Sequence, residues 1–129
     1  MRFRAEQHLR RQADIRHVRE AGRRYDCGCL TVWWVERRPA EVSSGASAGV
    51  KTVQGPRVAV IASRAAVGSA VQRNRAKRRM REAFRHHQQG IPAAIDLLMI
   101  ARASLNRLEY REIERKFGAA CAALFPPHA

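Results

Sequence analysis

Three runs along the chain are apolar and rich in β-branched or aromatic residues: CLTVWWV at 29–35, VAVIA at 58–62 and IDLLMIA at 95–101. Each is too short for a helix of ordinary length and reads as a strand. The first is predicted to begin at Cys27 and end at Val35. Alternation places Cys29, Thr31, Trp33 and Val35 on one face and Leu30, Val32 and Trp34 on the other, both at least partly covered. The second strand is predicted over Arg57 to Ala62 and the third over Asp96 to Ala101.

Between the strands the apolar spacing changes to that of a helix. Ile15 and Val18 stand three apart in a polar stretch from Gln12 to Ala21, and Gly22 follows where a helix would stop. A long helix is predicted from about Val67–Gly68 to about His87, because Ala76, Met80, Ala83 and Phe84 fall in one narrow stripe at 100° per residue. In a last helix Ile113, Phe117, Ala120, Cys121 and Leu124 form the apolar stripe. Asn106 and Glu109 resemble a capping box at its start, and Pro126 with Pro127 ends it. Residues 39–56, PAEVSSGASAGVKTVQGP, have little to bury and read as a flexible insertion between strands.

Composition adds a partner to this picture. The chain has 129 residues, the size of one domain, and a formal net charge of +14 from 25 basic and 11 acidic residues. Apolar residues make up 46% of it, so this is a folded cationic protein and not a polybasic tail. No run approaches the roughly 20 apolar residues of a membrane span, and MRFRAEQHLRR lacks the apolar core of a secretory signal; a cytoplasmic location is expected. Cys27, Cys29 and Cys121 are an odd number of cysteines, which argues against a disulfide framework.

The charge concentrates in RNRAKRRMREAFR, residues 73–85, where seven of thirteen residues are basic and only Glu82 is acidic. Asn74, Arg75, Arg78, Arg79, Arg81 and Arg85 spread over the circumference left by the apolar stripe. Like charges three and four apart destabilise an isolated helix, and a solvated face usually alternates its signs, so phosphate is the expected counter-charge. The predominance of Arg suits bidentate phosphate contacts and stacking on RNA. Arg73 is the exception, since its phase lies beside Met80 and Phe84 and it must snorkel or project past the core.

The stretch SRAAVGSAVQRNRAKRRMREAFR, Ser63 to Arg85, resembles the signature of the bacterial ribonuclease P protein family. ADIRHVREAG is similar to the family's first helix, CLTVWWV to its first long strand, and IPAAIDLLMIAR to the segment after the basic helix. The resemblance implies an α/β (α+β) two-layer sandwich of visible order αββαβα, with a central mostly antiparallel sheet and a left-handed β-α-β crossover through the basic helix. It also implies a subunit that assists a catalytic RNA in removing the 5′ leader from precursor tRNA. On that likeness the partners are ribonuclease P RNA and the leader, with no membrane and no obligate protein partner. Mg2+ is expected for the RNA-containing holoenzyme and no cofactor on the protein alone.

Carried over by position, Arg73, Asn74, Arg75, Lys77, Arg78 and Arg81 would contact RNA, and Ile15, Arg19, Trp33 and Arg64 would line the leader cleft. Two helix positions that are aromatic in the family are Ile15 and Arg19 here, which leaves Trp33 as a possible stacking platform and Arg19 as a possible phosphate ligand. No catalytic residue is expected in the chain, because its acids are scattered and Glu112 and Glu114 point to different sides of a helix. No metal site is expected either, since Cys27 and Cys29 lack a second ligand pair at zinc spacing. His86 and His87 are expected to meet solvent or RNA rather than a metal, since neighbours on a helix point about 100° apart. Two other classes share the charge and size: a ribosomal or ribosome-assembly protein, and a helix-turn-helix DNA binder. The second is disfavoured because the basic helix follows a strand.

Overall fold

The computed structural model describes residues 12–37 and 55–126. Helix α1 (Gln12–Ala21) leads into strands β1 (Arg23–Asp26), β2 (Leu30–Glu36) and β3 (Arg57–Ile61). Then come a single turn of helix, α2 (Arg64–Val67), the basic helix α3 (Ala70–His87), strand β4 (Ile95–Ala101) and helix α4 (Tyr110–Leu124). The sheet has the order β1-β2-β4-β3. β2 is antiparallel to β1 and to β4, while β3 and β4 run parallel with α3 in the connection between them. The mostly antiparallel sheet expected from the sequence is therefore present. The predicted insertion lies outside the described residues except for Gly55 and Pro56, and so does the amino-terminal segment 1–11.

Helices cover both faces of the sheet. Leu30, Val32, Val58, Leu97 and Met99 pack with Ala76, Met80, Ala83 and Phe84 of α3 and with Ile113 and Phe117 of α4. On the reverse face Val18 of α1 is buried with Ala59 and Leu98, and Ile15, Trp33, Val35, Ile61 and Ile100 close around them. The predicted stripe of α3 is thus the packed one, with all four of its residues fully buried.

Three sequence expectations are corrected. The first long strand starts at Leu30 and not at Cys27, because residues 27–29 form a turn. The Cys27 amide donates to the Leu30 carbonyl (2.9 Å), and Gly28 takes φ +88° with its amide bonded to Asp26 Oδ1 (2.8 Å). The turn moves Cys29 from the face of Trp33 to the face of Leu30 and Val32. It also joins β2 to β1, a short polar strand (RRYD) with no periodic signal, whose Arg24 and Tyr25 align with Trp33 and Val32. Finally, Asn106 and Glu109 form no capping box. Glu109 precedes α4 without a side-chain cap, and the Asn106 amide donates instead to the Gln72 carbonyl (2.8 Å) and Gln72 Oε1 (3.1 Å).

A buried carboxylate ties the ends of three strands together. Asp96 accepts from Arg37 Nη1 (2.6 Å) and from Arg57 Nε and Nη2 (2.8 and 2.7 Å), and Arg37 Nη2 also donates to the carbonyls of Gly55 (2.7 Å) and Ala93 (2.6 Å). Arg57 reaches on to Asp14 of α1 at 3.9 Å. Gly22 makes the passage from α1 to β1 possible by close approach. A Cβ there would collide with the Val18 carbonyl oxygen and stand 2.7 Å from that of Trp34. Gly22→Ala is expected to cost about 1–3 kcal/mol or more, since only backbone could move aside, and urea denaturation measures it.

Candidate nucleic-acid interface

Helix α3 begins at Ser69, whose hydroxyl accepts from the Gln72 amide (3.4 Å), after Gly68 breaks from α2 at φ +98°. Burial of Ala76, Met80, Ala83 and Phe84 against the sheet fixes the rotation of the helix about its axis. The opposite stripe, Asn74, Arg78, Arg81 and Arg85, must then face outward, and with Glu82 these residues line one shallow open concavity.

Of the residues carried over from the family signature, Asn74, Arg75 and Arg78 are exposed, and Arg73, Lys77 and Arg81 are half-buried. Among the described residues none of these five cations forms an ion pair with a carboxylate. The helix carries one acid, and Glu82 is held by Arg85 and lies 3.2 Å from His86 Nε2. The hydrogen bond from Arg85 is the chief reason the Glu82 carboxyl titrates below its ordinary range. Arg73 occupies the core-side phase expected of it, with its Nε enclosed and without a hydrogen-bond partner among the described residues.

Arg79 differs in kind from its neighbours. Its guanidinium turns back against the fold and donates to the carbonyls of Leu105 (3.3 Å) and Leu108 (2.7 Å). Burial, with Arg75 nearby as a smaller cause, lowers its pKa. Arg79→Ala is expected to lose about 1.5–3 kcal/mol of stability, the range for hydrogen bonds to a charged group. It should leave the salt dependence of RNA binding unchanged, and thermal unfolding beside a salt titration separates the two roles. Arg85, absent from the signature set, lies on the outward stripe with Arg78 and Arg81, and the four- and seven-residue spacing to them is the signal that finds it.

A second surface forms on the other side of the sheet. Arg24, Trp33, Leu98 and Ala59 stand in register across the four strands, and Asp26, Thr31, Ile100 and Ile61 form another row on the same face. Helix α1 covers part of this face with Ile15 and Val18, and the Arg19 guanidinium lies 6.0 Å from the centroid of the half-buried Trp33 ring. Ile15, Arg19 and Trp33 are thereby brought together. Arg64 is exposed on α2, just past the end of β3 and its residue Ile61. Arg24, the register partner of Trp33, adds a cation that strand pairing alone reveals.

His87 is half-buried, its side chain 32% exposed. Its ring packs edge-on to Phe117 in the seam between α3 and α4, with Nε2 3.7 Å from Glu114 Oε1. His86 is more open and sits against Tyr110. The three thiols are free; burial pushes Cys27 and Cys121 up to about 12 and raises Cys29. Among the described residues no group of three or more His, Cys, Asp or Glu is arranged to hold a metal, and no helix is long and apolar enough to cross a membrane.

Comparison with known proteins agrees with this architecture. Residues 3–124 match the family model described as Ribonuclease P. A 63-residue stretch is 46% identical to the ribonuclease P protein component of Pseudomonas paraeruginosa (strain DSM 24068 / PA7), covering 49% of this chain and 46% of that protein. The corresponding protein of Pseudomonas putida (strain GB-1) is 41% identical over 63 residues with the same coverage. The match thus spans just under half the length of these curated relatives. The fold is similar to that of the Staphylococcus aureus RNase P protein, with TM-score 0.69 and 22% identity over 92% of this chain and 97% of that one. It is equally similar to that of Thermotoga maritima, with TM-score 0.69 and 21% identity over 90% and 96%.

Proposed function

The chain belongs to the ribonuclease P protein family, and from that membership we propose that it is the protein subunit of a bacterial ribonuclease P, an endoribonuclease that removes the 5′ leader of precursor tRNA. The observation that carries this reading is the cationic side of α3, where Arg75, Arg78 and Arg81 lie away from a fully buried stripe and have no carboxylate partners among the described residues. A cationic surface organised in this way takes its counter-charge from a polyanion, and arginine forks match phosphate geometry.

In this reading the reacting groups and magnesium belong to the catalytic RNA. The chain's own residues hold RNA in two places. Arg75, Lys77, Arg78 and Arg81, with Asn74 and Arg73, bind the phosphates of the RNA subunit. The face beside α1, with Ile15, Arg19, Trp33 and Arg64, receives the single-stranded leader. There the Trp33 ring supplies a surface on which a base stacks, at about 1–3 kcal/mol per base, and Arg19 and Arg24 supply charge for the backbone.

Reconstitution tests the proposal. The purified chain, added to a matched bacterial ribonuclease P RNA at low magnesium, is expected to raise cleavage of precursor tRNA. Tight binding to that RNA with no gain in cleavage would instead assign the chain a structural role on RNA.

A further inference from the structure

The cationic surface continues beyond α3. The turn Leu105–Arg107 and the start of α4 lie against the flank of α3, fixed by the two bonds from Arg79 to the Leu105 and Leu108 carbonyls and by the two from Asn106 to Gln72. Residues 72 and 79 share one side of the helix with Arg75, so this ridge stands beside an exposed arginine of the RNA face.

The ridge carries two more exposed arginines, Arg107 and Arg111. Neither forms an ion pair with a carboxylate among the described residues. Glu109 lies between them, and the next acid, Glu112, is taken by Arg115 at 2.7 Å. Arg111 also stands in the first turn of a 15-residue helix, where the helix field disfavours a cation. Among the described residues the fold offers neither arginine a carboxylate, yet four hydrogen bonds through Leu105, Asn106 and Leu108 hold the segment that carries Arg107 and leads into α4 against the basic helix.

We infer that the RNA-binding surface extends from α3 across this ridge, with Arg107 and Arg111 contacting backbone phosphates of the same structured RNA. The inference rests on the reading of α3 as an RNA face. Because the two side chains are exposed, their removal should not lower the thermal transition, and Arg111→Ala should raise it slightly by relieving the helix field, so binding can be compared directly.

The test is a salt titration of binding between the full chain and a matched ribonuclease P RNA transcript without a leader substrate. Arg107→Ala and Arg111→Ala should each bind about three- to tenfold more weakly, with a salt slope flatter by about 0.7–0.9, while Glu109→Gln should bind more tightly. Arg78→Ala serves as the reference for α3. Arg16→Ala, which removes one charge from exposed α1 on the reverse face, serves as the control. Ridge variants that bind like the parent while Arg78→Ala weakens would overturn the inference and leave the α3 reading standing. An equal loss in Arg16→Ala would also overturn it, by showing that net charge alone is sensed. A silent Arg78→Ala would instead sink the α3 reading on which the inference depends.

Discussion

Asp96→Ala is expected to cost about 3–5 kcal/mol of folding stability, the range for removing one partner of a buried ion pair. The side chains of Asp96 and Arg37 are only 5% and 9% exposed, so the alanine leaves Arg37 without its counter-charge where water cannot solvate it. Arg57 loses both of its bonds to the same carboxylate. The damage should reach beyond the strand ends, because Arg57 also contacts Asp14 and so helps hold α1 over the face of Trp33. Urea denaturation gives the stability change. Leader-dependent cleavage measured below the transition would show whether α1 has also shifted. A loss under about 1 kcal/mol would mean that the arginines find other partners or water, and that the clamp contributes little.

Replacing Arg75 and Arg78 together by alanine is expected to flatten the plot of log affinity against log salt by about 0.7–0.9 for each phosphate that is no longer neutralised. RNA affinity at moderate salt should fall about tenfold to hundredfold, or about 1.4–2.8 kcal/mol. Both side chains are exposed and neither is bonded to a carboxylate among the described residues, so the loss should appear without a change in unfolding temperature. Arg79→Ala is the opposite case, with stability reduced and slope kept. An unchanged slope in the Arg75, Arg78 double variant would place the phosphate-binding groups elsewhere on the chain.

The contrast between these arginines shows where the sequence is legible. In α3 the apolar stripe recurs every three to four residues within a single helix, so its inward face and its cationic remainder can be read from spacing alone, and the structure buries the four residues that spacing selects. The stripe of α4 is legible for the same reason, and the strands at 57–61 and 95–101 from their short, continuous apolar runs. Arg79 has the same composition and helix as Arg78. Its partners are carbonyls 26 and 29 residues away, and no local pattern announces them.

The same distance limits the second surface. Resemblance to the family nominated Ile15, Arg19, Trp33 and Arg64, but the gathering of the first three depends on α1 crossing the sheet beside Trp33. Arg24 joined them through the pairing of β1, a strand whose four residues are polar and at the edge. Such a strand has no alternation to detect, because neither of its faces needs to be apolar.

By itself the sequence determined the periodic elements, the buried stripe of the basic helix, the excess of positive charge and the family signature at 63–85. These rest on neighbours within one or two helical turns, whose hydrophobic and electrostatic preferences act before any tertiary contact forms. Only the tertiary structure decided that Leu30 opens the strand, that Asn106 ties a ridge to Gln72, that Asp96 gathers arginines 39 and 59 residues away, and that Arg79 serves the fold while Arg78 faces out. The bonds of Asn106, Asp96 and Arg79 satisfy polar groups with partners distant in sequence, which only the folded chain brings together, whereas the turn before Leu30 is local and leaves no trace in the apolar pattern.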